Sequence, residues 1–226
     1  MKYFFIMVIL STIYLGCDNP LAPPISSEKK GLTIEGKIFD YQAEYKFFSY
    51  VIGYSSNLVD SASININGEF KLFVSEPDST LMWTYYHQKG LRGQIMDYDS
   101  VNFNNPTFRY IPFKFFIRQG DGSLAPIDKA KKSEVYAFPK IGEYYVKYYF
   151  CNDTTLVSGK HIVRYLDTGF EEITNYNIKF AKGWNQLSYR LIQKNDSTEI
   201  YEVSNADTLQ NYWVLSAGSF FSSWIL

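Results

Sequence analysis

From Leu32 onward the chain alternates apolar and polar residues with a period of two, and this alternation limits the fold more than any other feature. Leu32, Ile34 and Ile38 fall on one side and Thr33, Glu35 and Lys37 on the other, as in a strand with one buried face. The same pattern predicts strands over Phe47–Tyr54, Ala62–Ile66, Phe70–Val74, Leu81–Tyr86, Phe108–Ile117, Glu134–Phe138, Tyr144–Phe150, His161–Tyr165, Tyr176–Phe180, Gln186–Ile192, Ile200–Val203 and Tyr212–Leu215. Turn residues separate these runs. Twenty tyrosines and eighteen phenylalanines suit a pleated, partly buried surface, and no long 3.6-residue stripe competes with them. Only Pro126–Lys132, with Ala130 and three lysines, predicts a short helix.

The expected fold is therefore all-β, a β-sandwich. The turn cluster Gln119-Gly120-Asp121-Gly122-Ser123, followed by Pro126, divides the chain into an N-terminal β-sandwich module over 31–122 and a C-terminal one over 134–226. Asn67-Gly68 is a strong hairpin signal, but a two-residue loop would set Ile64 and Ile66 on the face opposite Phe70 and Leu72. The phases agree only if the loop has three residues, Asn67 to Glu69, or if a bulge precedes the turn.

The N-terminus carries a different signal. Met1-Lys2 precedes an apolar run from Tyr3 to Tyr14, and Leu15-Gly16-Cys17 follows, the layout of a bacterial lipoprotein signal peptide over 1–16. The run holds about a dozen residues, against the roughly twenty that span a bilayer. Tyr14 stands where the usual box places Leu; a plain secretory signal or an uncleaved anchor is the alternative, and either also exports the domain. Cleavage before Cys17 would free its thiol for lipidation, with a palmitate among the acyl chains, and several acyl chains make a stable membrane anchor. Residues 17–30, with Asn19-Pro20, Pro23-Pro24, Ser26-Ser27 and Glu28-Lys29-Lys30, read as the lipidated Cys and a flexible tether. The partner implied is the lipid bilayer, and the location a Gram-negative cell envelope, on the outer or inner membrane.

Without residues 1–16 the chain keeps 226 − 16 = 210 residues, and 21 basic side chains face 23 acidic ones once Lys2 is removed. That balance offers no footprint for nucleic acid. With Cys17 acylated, Cys151 has no second cysteine to pair with and reads as a buried thiol.

Two stretches carry resemblances. Gly31-Leu32-Thr33-Ile34-Glu35-Gly36-Lys37-Ile38, Val59-Asp60-Ser61-Ala62 and Asn67-Gly68-Glu69-Phe70-Lys71-Leu72 together resemble a β-rich N-terminal domain family of bacterial lipoproteins whose function is uncharacterised, over residues 31–75. In that family the domain often precedes a thioredoxin-like one; no Cys-x-x-Cys follows here. Lys182-Gly183-Trp184-Asn185, with Leu187, Tyr189, Leu191 and later Tyr212-Trp213, resembles the C-terminal β domain of other such lipoproteins. The resemblances imply fold and address, and no catalytic residue.

The residues give little catalytic chemistry. The two histidines, His87 and His161, have no ligand at zinc spacing nearby. Asp97-Tyr98-Asp99 opens like a calcium loop, but Val101 occupies the next ligand position. Adjacent Glu171 and Glu172 point to opposite faces of a strand and cannot jointly flank a sugar bond. No metal and no cofactor is expected. Tyr85, Tyr148 and Trp213 are candidates for stacking on a glycan, although aromatic pairs in strands serve core packing first. Of twelve aspartates, seven precede Ser or Thr, which fits turn capping. The triplets beginning at Asp60, Asp99 and Asp207 also resemble an O-glycosylation acceptor of exported proteins, which would place sugars on Ser61, Ser100 and Thr208. The expectation is a non-enzymatic, membrane-anchored binding or structural module for a protein or glycan partner; the alternative is an envelope hydrolase whose carboxylates meet from dispersed loops. A deep cleft with converging Asp, Glu or His would favour the hydrolase, and a flat or strip-like apolar patch would favour binding.

Overall fold

The computed structural model describes residues 30–52, 59–85, 90–92, 95–131, 140–206 and 212–215. The strands among them are β1 (Gly31–Lys37), β2 (Phe47–Ile52), β3 (Asp60–Ser63), β4 (Glu69–Ser75), β5 (Gly90–Arg92), β6 (Ile95–Asp99), β7 (Asn102–Phe103), β8 (Tyr110–Arg118), β9 (Leu124–Lys131), β10 (Tyr144–Cys151), β11 (Thr155–Tyr165), β12 (Glu171–Phe180), β13 (Gly183–Lys194), β14 (Thr198–Asn205) and β15 (Tyr212–Leu215). The protein is all-β, with packed antiparallel sheets that do not close into a barrel, consistent with the expected β-sandwich. Cys17, His87, Thr208 and the Glu134–Phe138 stretch lie outside the described residues.

β1 and β4 form a two-stranded antiparallel sheet in which Leu32 faces Val74, Ile34 faces Leu72 and Gly36 faces Phe70. The other strands form one long sheet in the order β3-β2-β8-β9-β10-β13-β14-β12-β11-β6-β5, with β15 added to β9 and β7 to β11. β12 and β14 run parallel, because the β13–β14 hairpin folds back beside the β11–β12 hairpin. The sheet forks at β8. Tyr110–Phe113 pair with β10, while Phe115–Arg118 pair with β9. One arm then continues through β2 and β3, and the other through β9 and β15. Single bridges, Ile64 to Phe70 and Ile38 to Trp213, tie the β1–β4 pair to the two arms.

Two large hydrophobic cores result among the described residues, beside a small cluster of Ala130, Tyr145 and Val214, and they do not divide the chain in sequence order. The first fills the fork: Ile34, Leu72, Phe48, Phe70, Phe115, Ile117, Tyr148 and Trp213 are all buried there. Phe48 stacks on Phe70 at 3.9 Å between ring centroids, and Trp213 meets Phe48 edge-on at 5.0 Å. The second lies on one face of the long sheet: Tyr149, Cys151, Val157, Tyr176, Ile178, Phe180, Leu187 and Val203, with Phe108 and Tyr110 packed against them. Strand β10 serves both, because alternate residues of a strand point to opposite faces. Tyr144, Val146 and Tyr148 enter the first core, and Tyr149 and Cys151 the second. Aromatic pairs such as Tyr148-Tyr149 thus fill two cores at once.

Four local expectations change. The turn cluster at 119–123 is the tip of the β8–β9 hairpin, closed by Gln119 N–H donating to the Ser123 carbonyl at 2.9 Å. Residues Gly31–Leu226 form one compact unit, so that turn lies inside it. The helix expected over Pro126–Lys132 is strand β9 as far as Lys131, since pairing with β8, β10 and β15 outweighs the intrinsic helical preference of Ala and Lys. The stretch expected as a strand from Leu81 begins with a 3-10 turn, Ser79–Leu81, capped by Asp78 accepting from Thr80 N–H. Finally, the hairpin before β4 does have a three-residue loop, but it is Ile66-Asn67-Gly68. Asn65 N–H donates to Glu69 O, and Gly68 N–H donates to Asn65 O. Ile64 therefore pairs with Phe70, and Ile66 projects into solvent at the tip, 90% exposed. Gly68 has φ +81, as a turn ending in a left-handed residue requires, and a Cβ there would lie 2.7 Å from Tyr41.

Candidate functional site

The long sheet places titratable side chains together on one face. Cross-strand partners share a face, so the ladder lines up Asp99, His161, Thr174 and Tyr201 in one row and Asp97, Val163, Glu172 and Glu199 in the next. Asp97, Asp99, His161 and Thr174 are buried. His161 Nε2 lies 3.5 Å from Asp97 Oδ1, and the Tyr85 hydroxyl donates to Asp99 Oδ2. Asp99 Oδ1 also accepts from Val101 N–H at 2.8 Å, which turns the chain into β7. Burial, reinforced by the Asp99 carboxylate, raises the Tyr85 phenol far above its ordinary range.

Glu172 and Glu199 stand directly opposite each other on β12 and β14, both half-buried. Glu199 accepts from Lys194 Nζ and from the Tyr201 hydroxyl, the latter at 2.8 Å. Among the described residues, no hydrogen bond or ion pair reaches Glu172. Its burial, with the Glu199 charge beside it, pushes the Glu172 carboxyl up to about 7. The row continues past hydrogen-bonding tyrosines into the apolar second core, so this face is polar at one end and apolar at the other.

The opposite face of the same strands presents a different surface. Tyr98, Ile162, Ile173 and Ile200 are successive cross-strand partners on β6, β11, β12 and β14. On β13 the partner of Ile200 is Gln193, and Ile192, the unpaired residue of the bulge just before it, adds a further aliphatic side chain beside the row. Tyr98 is 49% exposed and Ile192 42%, with the three central isoleucines half-buried between them. Charged and polar rows flank it. Met96, Arg164, Glu171 and Thr198 lie on one side, with Arg164 bonded to Glu171; Lys160, Asn175, Glu202 and Arg190 lie on the other. This surface thus has an apolar centre between flanking rows that carry charges of both signs.

The candidate residues from sequence fall in three places. Tyr148 and Trp213 are each 3% exposed in the first core, stacked at 6.1 Å between centroids, so neither offers a ring face to a sugar. Tyr85 is half-buried against Phe103 and hydrogen-bonded to Asp99. Ser61 is exposed on β3, whereas the Ser100 hydroxyl, though on the surface, donates to the Lys160 carbonyl at 3.0 Å. Turn capping by aspartate is visible at Asp60, Asp78, Asp99, Asp153 and Asp167, each of which accepts from a backbone N–H one or two residues on. Asp97 and Asp99 project beside a histidine and a tyrosine, and among the described residues no group of three or more His, Cys, Asp or Glu is arranged to hold a metal ion.

Sequence reasoning missed the meeting of Asp97 on β6 with His161 on β11. Their strands are far apart along the chain, and a strand register over such distances leaves no local signal. The isoleucine row did leave a trace: Ile162 interrupts the alternation between His161 and Val163, and Ile173 sits between Glu172 and Thr174. No family model, no curated protein and no solved structure matches this chain.

Proposed function

We propose that this is a lipid-anchored cell-envelope protein, tethered through Cys17, that holds a protein partner on the outer face of its long sheet. The observation that supports the binding role is the apolar row of Tyr98, Ile162, Ile173, Ile200 and Ile192 across five strands, left partly open to solvent inside a charged rim. Four of its five members are aliphatic. Aliphatic side chains offer no ring face for sugar stacking, and they suit an apolar protein surface. The anchor reading rests on Leu15-Gly16-Cys17 and on the start of the first described strand at Gly31, directly after the expected tether.

A photo-crosslinking residue placed at Ile173 in the native host tests the binding role. A discrete adduct is expected from Ile173, none from a control at exposed Ser61, and loss of the adduct when Ile162→Lys is added. Equal adducts at both positions, or none at Ile173, would overturn it.

A further inference from the structure

Glu172 and Glu199 put two carboxylates side by side where neighbouring strands are only about 4.8 Å apart. The groups around them can be named strand by strand. From β6 comes Asp97; from β11, Val163, Tyr165 and His161; from β12, Thr174 and Tyr176; from β14, Tyr201; from β13, Lys194. Tyr145 of β10 faces Tyr201. Among the described residues, Lys194 and the Tyr201 hydroxyl are the side chains bonded to this pair, and both go to Glu199. Glu199 is therefore held as an acceptor, while Glu172 lies between a buried valine, another carboxylate and tyrosine rings. Unlike surroundings of this kind separate the protonation of two neighbouring acids.

We propose that the Glu172–Glu199 pair, set side by side by the parallel register of β12 and β14, is a pH-sensitive fastening: a proton on Glu172 lets it donate to the Glu199 carboxylate and join the two strands, and its loss sets two like charges against each other. This goes beyond the partner-binding role and does not depend on it.

The sign of the effect follows from where the proton sits. Below pH about 4 the unfolded and folded chains both carry the proton, and the contribution to stability is fully present. Between there and about 7 the folded protein keeps a proton that the unfolded chain has released, so stability falls as the pH rises; above about 7 the dependence levels off. One proton of difference changes the unfolding constant by at most about tenfold per pH unit.

Urea unfolding of the mature domain at intervals from pH 5 to 8, for wild type and Glu172→Gln, tests this. His161, Asp97 and the other acids are common to both proteins, so the difference between the two profiles isolates Glu172. The wild-type unfolding constant should rise between pH 5 and 7 by roughly ten- to a hundredfold more than that of the variant. Carboxyl-carbon NMR on wild type supplies a readout that survives if the variant fails to fold: Glu172 should titrate near neutrality, and its midpoint should drop on Glu199→Gln. Parallel unfolding profiles, or a Glu172 midpoint in the ordinary carboxylate range, would overturn the proposal.

Discussion

Tyr148 and Tyr149 are neighbours in sequence and belong to different hydrophobic cores. Tyr148 meets Phe115 edge-on at 5.4 Å in the fork, while the Tyr149 hydroxyl lies 2.7 Å from that of Tyr189 on the other side of the sheet. The strand between them is the shared wall of both cores, which is why the described fold has no sequence boundary between two modules.

The Tyr149–Tyr189 contact gives the first prediction. Both side chains are buried, so Tyr149→Phe leaves the Tyr189 hydroxyl short of a partner at a cost of about 1–2 kcal/mol. Adding Tyr189→Phe should cost less than the sum of the single changes, because no orphaned hydroxyl is left. A double-mutant cycle by urea denaturation reads this directly.

Trp213 should be the most costly single truncation on β15. Its indole packs edge-on against Phe48, Phe70 and Phe115, and its backbone bridges to Ile38. Trp213→Ala should cost about 3–5 kcal/mol and reduce the near-ultraviolet circular dichroism of the fork's aromatic cluster.

Gly159 sits within β11 at φ +126, where the backbone of Ser100 crosses it; a Cβ would stand 2.4 Å from the Ser100 carbonyl oxygen. Gly159→Ala should destabilise by more than about 1 kcal/mol. Gly169→Ala, also at positive φ but with open space around it, should cost less. Thermal melts of the two variants separate steric contact from backbone strain.

Cys151 is fully buried, and burial pushes its thiol well above the usual range. In a Cys17→Ser variant, where Cys151 is the remaining cysteine, the folded protein should not react with a thiol reagent at pH 8 on the minute timescale and should react fully once unfolded in guanidinium. Rapid labelling of the folded variant would contradict the burial.

The sequence exposed the fold class because alternation is local: Ile34 and Leu72 carry their own phase. It also exposed the defect at Asn67-Gly68, since the apolar phases of Ile64 and Phe70 conflicted with a two-residue loop. The wrong details share one cause. Lys129 and Ala130 look helical alone, and they are strand because three neighbours pair with β9. Trp213 and Tyr148 look like ligand-stacking residues until the fork closes over them. The Glu172–Glu199 pair was beyond local reading, since it needs the parallel register of β12 and β14, and of the isoleucine row only Ile162 and Ile173 left a local trace.

The most direct test of the proposed role lies at Cys17. In a Gram-negative host grown with labelled palmitate, the wild-type chain should take up label and sediment with membranes, while Cys17→Ser should take up none and either appear in soluble fractions or retain its leader. Equal palmitate uptake by the two proteins would contradict the account.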